Sequence, residues 1–149
     1  MTETTTYLDH NATTPIRPEA AEAVIAALQV TGNPSSVHGP GRAARRIVEE
    51  ARQAVAKLTG SKPANVVFTS GATESNNLAL AAAGPQARLL TSAIEHDSVR
   101  QFREDAEIIP VTGEGIIDLE AFQEMLDAAD DRPLLISVMG VNNETGVRQ

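Results

Sequence analysis

Cysteine occurs nowhere in the 149 residues. Its absence excludes a disulfide framework and any thiolate metal site. Aromatic side chains are scarce, at 3%, so core volume has to come from Ala, Val, Ile and Leu. Lysine occurs only as Lys57 and Lys62. Twelve basic residues stand against 20 acidic ones, for a net charge of −8. Nucleic acid and anionic membrane surfaces call for a basic face, and such a chain suits neither. No apolar run approaches membrane-spanning length, and the opening MTETTTYLDH has neither a basic nor an apolar signal region. A soluble cytoplasmic protein is the expectation. The length suffices for one compact domain with a core.

What is present centres on FTSGATESNNLAL at 68–80. Val66, Val67 and Phe68 form a short β-branched and aromatic run that predicts a strand over 66–68. Ser70-Gly71 breaks it, and 73–83 reads as a helix ending at Gly84. A strand, a glycine turn and a helix that starts in small hydroxyl residues form an anion site, because free N–H groups and the positive dipole end point at one spot. Gly71 admits a close backbone approach, and Ser70 and Thr73 can add hydroxyl donors. An ordinary strand-to-helix turn with a Ser or Thr cap uses the same residues, and the stretch alone leaves both readings open. The turn holds no lysine and lacks triphosphate-loop spacing, so the anion is something other than a nucleoside triphosphate.

In chain order, polar 9–15 precedes a helix opened by Pro18, with Ala20, Ala21, Val24, Ile25 and Leu28 on one stripe. The Gly- and Pro-rich loop 32–41 follows; such a loop is either disordered or functional. A second helix is predicted over about 42–59, with Ala44, Ile47, Val48, Ala51, Val55 and Leu58 inward and Gly60 at its end. An α/β pattern then takes over. Strand 88–91 leads to helix 97–106, and strand 107–111 leads through Gly113 and Gly115 to helix 119–129. That last helix is capped by Asp118, with Leu119, Phe122 and Leu126 on its apolar face. The final strand, 134–139, is almost continuously apolar, as a strand covered on both faces is. Alternating units of this kind predict an α/β fold: three layers, α/β/α, around a mainly parallel sheet.

Ligands collect at the carboxyl ends of such strands. Three loops are expected there: 70–73, 92–98 and 140–146. They offer an anion cradle, the imidazole of His96, and the side-chain amides of Asn142 and Asn143. His96 reads either as a solvated or capping residue or as a functional group sharing an edge with the anion site. Glu95 could orient it, or be a solvated carboxylate. Asn142-Asn143 before Gly146 are also ordinary turn formers.

Five segments in order, LDHNATTP (8–15), GNPSSVH (32–38), SGATESNN (70–77), EHDSV (95–99) and NNETG (142–146), resemble cysteine desulfurases of the nitrogen-fixation and iron–sulfur-assembly type. These are pyridoxal-phosphate enzymes of the class V aminotransferase fold, and the resemblance spans essentially the whole chain. It implies that 1–149 is the amino-terminal segment plus the first, incomplete part of the pyridoxal-phosphate-binding large domain. It implies that Ala72 and Thr73 hold the phosphate of pyridoxal 5′-phosphate. His96 would stack on the pyridine ring and serve as an acid/base group, and Asn143 would contact the ring oxygen or the substrate carboxylate. Segments 11–14 and 33–38 would lie near the substrate entrance or a homodimer interface. L-cysteine would be the substrate, a sulfur-acceptor or scaffold protein the partner, and no metal is implied. His10-Asn11 stands where family members often have Asn-Ala, and Arg148 where an apolar residue is usual.

The family chemistry takes sulfur from L-cysteine, leaving alanine and an enzyme persulfide. It needs a Schiff-base lysine, an aspartate under the pyridine nitrogen and a nucleophilic cysteine. In the family all three lie beyond the equivalent of Gln149, and Lys57 and Lys62 read as solvated surface residues. The expectation is a fragment of a working desulfurase that is inactive by itself. The alternatives are a non-catalytic or split-site subunit completed by a second chain, or another class V lyase or aminotransferase. Cysteine versus selenocysteine preference stays open.

Overall fold

A computed structural model describes residues 6–128 and 131–149. The chain divides into two compact units, Met1–Phe68 and Thr69–Gln149.

In the first unit, α1 spans Pro18–Leu28 and α2 spans Gly39–Thr59. Proline at its start opens α1 as expected, but none of its residues is buried, so the predicted stripe through Val24, Ile25 and Leu28 faces outward. The packed face of α2 matches the expected one only at Ala44 and Val48. Gly41, Ala44 and Ala56 are buried and Val48 and Arg52 partly so, whereas Ile47, Val55 and Leu58 are exposed, Leu58 at 87%. Gly41 lies inward because the loop before the helix packs against its first turn. A Cβ on Gly41 would meet the Ser36 carbonyl oxygen at 2.4 Å, and one on Gly32 would meet the Pro40 carbonyl oxygen at 2.4 Å. Segment 32–38 turns closely at Asn33–Ser36, with Asn33 Oδ1 accepting from the Ser35 N–H at 2.9 Å and the Asn33 carbonyl from the Ser36 N–H at 2.9 Å, and 39–41 already belong to α2. Gly60 ends α2 in the left-handed region (φ 65°), where the Ser61 N–H reaches the Ala56 carbonyl at 2.8 Å.

The predicted strand 66–68 is not a strand. The segment is unpaired, and Val67 is 73% exposed. Arg52 on α2 takes the Val66 carbonyl and lies 5.1 Å from the centre of the Phe68 ring, so a side chain occupies the place of a ladder neighbour.

The second unit carries α3 (Ala72–Ala81), β1 (Arg88–Ser92), α4 (Asp97–Arg100), β2 (Glu107–Ile109), α5 (Leu119–Asp127) and β3 (Leu134–Ser137). The three strands form one parallel sheet in the order β2-β1-β3, with Leu90 opposite both Glu107 and Ile136. The α/β class and the parallel sheet are as expected. The chain moves one way from β1 to β2 and back across β1 to reach β3. Right-handed crossovers then place α4 and α5 on opposite faces. Central β1 is buried along its whole length. Leu80 of α3, Leu89 of β1 and Val99 of α4 form the core, with Phe102, Ala106 and Leu135 against it.

Several boundaries shorten. The helix expected over 97–106 is a single turn, because Arg103 leaves it to donate to the carbonyls of Ala87 (2.6 Å) and Pro85 (3.3 Å) while pairing with Asp105. Val111 leaves the second strand to form an antiparallel bridge with Ile117, and Gly115 sits at φ 78° in the turn between them. β3 stops at Ser137 and is covered on one face only, since its outward Leu134 and Ile136 are 44% and 42% exposed. Asp118 caps α5 as expected, accepting from the N–H groups of Glu120 and Ala121 at 3.1 Å. The expected helix end at Ala129 lies outside the described residues. Among the described residues, no helix is long and apolar enough to cross a membrane. None of their His, Cys, Asp or Glu side chains cluster in threes to hold a metal ion.

Candidate functional site

The loops after β1 and β3 leave adjacent strands of the sheet. They border an open-mouthed cavity of about 430 Å³, lined by Ala93–Asp97, Arg100 and Asn142–Thr145. Glu95, next to His96, is not solvated, and its hydrogen bonds go elsewhere than to the imidazole. It is buried, accepting from the Ser92 hydroxyl at 3.1 Å and from the Met139 N–H. It therefore ties the end of β1 to the end of β3. Asn142 does a similar job across the cavity. Buried, it donates to the Ile94 carbonyl at 3.1 Å, and its Oδ1 accepts from the N–H groups of Glu144 and Thr145 at 2.9 Å. Asn142 thus builds the wall, and exposed Asn143 faces the space beside it.

His96 lines the same cavity and is also the N-cap of α4, so the capping reading holds while the residue borders the cavity. Its Nδ1 accepts from the Ser98 N–H at 3.0 Å and lies 2.9 Å from the Ser98 hydroxyl. The Ser98 hydroxyl in turn accepts from Asn76 Nδ2 on α3 at 2.8 Å. The structure thus brings His96 and Asn143 into one cavity, while Ala72 and Thr73 lie outside its lining. Their helix reaches His96 through the Asn76–Ser98 link.

At the start of α3, helix geometry leaves the amides of Ala72 and Thr73 without an intrahelical acceptor. Both residues are exposed, and a Cβ placed on the preceding Gly71 would meet nothing within 4 Å. Thr69 and Ser75 brace the turn through a hydroxyl pair at 2.7 Å. Ser70 is not available as an anion donor. Its N–H and hydroxyl both bind Glu74 Oε2 at 2.7 Å, and these bonds, the hydroxyl first, hold the Glu74 carboxyl below its ordinary range. Two free amides, a threonine hydroxyl and the positive helix end fit a phosphate group.

Sequence reading did not single out Asn76, Ser98 or Arg100 as site residues. Spacing in the sequence held one usable signal for Ser98: a Ser two residues after a capping His can return to its ring. No lysine lines the cavity. Lys57 closes α2 and Lys62 precedes the 3₁₀ turn Pro63–Asn65, both exposed and both in the first unit.

A parallel sheet with a cavity outside the carboxyl ends of two adjacent strands places this chain among the α/β proteins with an open sheet, in which such a crevice is the usual ligand position. The sequence profile of the class-V aminotransferases matches residues 6–149, and the chain belongs to that family. An IscS-like cysteine desulfurase of Mycobacterium tuberculosis (strain ATCC 25618 / H37Rv) is 42% identical over 94% of this chain and 39% of its own length. A selenocysteine lyase of Homo sapiens is 35% identical over 95% of this chain and 38% of its own. The solved structure of a NifS-like protein from Rickettsia africae superposes with a TM-score of 0.86 at 36% identity, over 96% of this chain and 41% of that one. The chain therefore spans about two fifths of the length of these relatives.

Proposed function

We propose that this chain forms the amino-terminal part of a pyridoxal-phosphate-dependent cysteine desulfurase, acting on L-cysteine and passing its sulfur to an acceptor protein. The observation that carries the reading is the cavity itself, with His96 and Asn143 on its wall and the Asn76–Ser98 link to the helix that offers the phosphate donors. Ala72 and Thr73 would hold the phosphate through their amides and the Thr73 hydroxyl. Asn143 would bind an oxygen of the ring or of the substrate carboxylate, and His96 would sit against the ring. The bound cofactor supplies an electron sink for breaking bonds at the substrate's α and β carbons. This chain's residues anchor it, orient the substrate and handle a proton at the imidazole. The lysine and thiol that the reaction needs would come from the remaining three fifths of a family-length polypeptide, which would work as a cytoplasmic homodimer.

A second reading has support in the 35% identity to a selenocysteine lyase, whose name gives a different substrate. One assay tests both. The polypeptide carrying 1–149 is incubated with pyridoxal phosphate and either L-cysteine or L-selenocysteine, and alanine is measured. Alanine from cysteine with a protein-bound persulfide supports the desulfurase, and alanine from selenocysteine alone favours the lyase. The coding sequence directly after Gln149 separates a single polypeptide from a site completed by a second chain.

A further inference from the structure

We infer that His96 presents its Nε2–H, as a neutral hydrogen-bond donor, to the occupant of the cavity, and that Ser98 and Asn76 are positioning residues that set this tautomer. Which ring nitrogen carries the proton is decided by what the other nitrogen bonds. The Ser98 backbone N–H points at Nδ1 from 3.0 Å and can only donate, so Nδ1 has to present its lone pair. The hydroxyl of the same serine lies 2.9 Å from Nδ1. Asn76 Nδ2, 2.8 Å away, donates to that hydroxyl oxygen and leaves its proton to point at the ring. Two donors therefore converge on Nδ1, and the ring proton sits on Nε2. That nitrogen has no partner among the described residues, and its ring lines the cavity. A neutral imidazole fixed in this way donates to an oxygen, nitrogen or sulfur of the ligand. It accepts a proton at Nε2 only after the existing one has moved. Ser98 and Asn76 also join α3, whose first turn would hold the phosphate, to the ring, so the two halves of the site share one hydrogen-bonded line. The tautomer rests on geometry alone; its part in turnover rests on the desulfurase reading.

The test uses the complete polypeptide labelled with ¹⁵N at histidine, without cofactor, and reads the His96 tautomer from nitrogen–proton correlations. The expected wild-type ring is predominantly Nε2–H. Ser98→Ala should raise the Nδ1–H fraction about tenfold by removing one of the two donors. Ser98→Thr, which keeps the hydroxyl, should restore the wild-type ratio, and Asn76→Leu should give a smaller shift in the Ser98→Ala direction. A predominantly Nδ1–H ring in the wild type, or a Ser98→Ala ratio equal to wild type, would overturn the inference. If Ser98→Ala does not fold, the wild-type ring and the Ser98→Thr ratio decide. With L-cysteine, Ser98→Ala should lower kcat about tenfold at unchanged KM, with recovery in Ser98→Thr. A wild type that makes no alanine but holds the Nε2–H ring would sink the desulfurase reading and leave this inference standing.

Discussion

Thr73 is the side chain on which retention of the cofactor phosphate should depend most directly. Its hydroxyl would donate to a dianion, a charge-assisted bond worth about 1.5–3 kcal/mol. Thr73→Ala should therefore weaken cofactor affinity about ten- to a hundredfold, and an unchanged dissociation constant would remove Thr73 from the cradle. A second single-residue prediction concerns Thr91 on central β1. Its hydroxyl is fully buried and has no hydrogen-bond partner among the described residues. Thr91→Val keeps the shape and removes that orphaned group, so the urea midpoint should rise by the equivalent of about 1 kcal/mol. At this scale the sequence was partly legible. A histidine in a loop at a strand end can be picked out by type and place. That Nδ1 would cap a helix while the ring still faced a cavity depends on the dihedrals of the Glu95–Ser98 turn, which residue types do not specify. Asn142 and Asn143 looked alike in the sequence, and burial of the first makes it the wall and leaves the second facing the space.

Among the elements, α3 should respond to acid through Glu74. Its carboxylate is held by the Ser70 hydroxyl and N–H, and its pKa is lowered. The ionised form is thus favoured in the folded state. Its contribution is fully present above the unfolded value of about 4.3 and is lost as pH falls through the lower folded value. Glu74→Gln should abolish this acid-side loosening at the start of α3, read as amide exchange at Ser70; persistence of the same pH dependence would assign it to another group. The sheet offers a companion test. Arg88 is only 7% exposed and is gripped by Glu107 in two bonds of 2.6 Å, joining β1 to β2. Glu107→Ala should cost about 2–3 kcal/mol in denaturant unfolding, because the guanidinium stays buried without its carboxylate. A loss below 0.5 kcal/mol, roughly that of a surface pair, would show the pair to be weak. Hydrophobic period identified α2, α5 and all three paired strands. It failed where a long side chain replaced a backbone partner. Arg52 holds 66–68 extended without a ladder, and Arg103 unwinds 97–106 after one turn. The inward face of α2 was legible in part: Ala44 and Val48 are covered as the period predicts, whereas Ile47, Val55 and Leu58 are exposed and the close approach of the preceding loop puts Gly41 inward instead.

Over the whole molecule, the order and spacing of five motifs carried the family, and the alternation of strand and helix patterns carried the parallel α/β class. The division at Phe68/Thr69 was not legible, since it falls inside the 66–83 stretch that reads as one strand–turn–helix unit. The isolated 149 residues hold no thiol and no lysine on the cavity wall. Borohydride trapping with pyridoxal phosphate should thus find no stoichiometric, cysteine-responsive lysine adduct on them; such an adduct, mapped by mass to Lys57 or Lys62, would contradict the proposed division of labour. The central claim is that the cavity between the β1 and β3 loops is where the reaction occurs, with His96 in it. The most direct measurement compares alanine formation from L-cysteine by the complete wild-type polypeptide and by His96→Gln, with bound cofactor quantified in both. Turnover lower by about 10²–10⁴-fold with cofactor retained is the predicted result, and wild-type turnover in His96→Gln would contradict it.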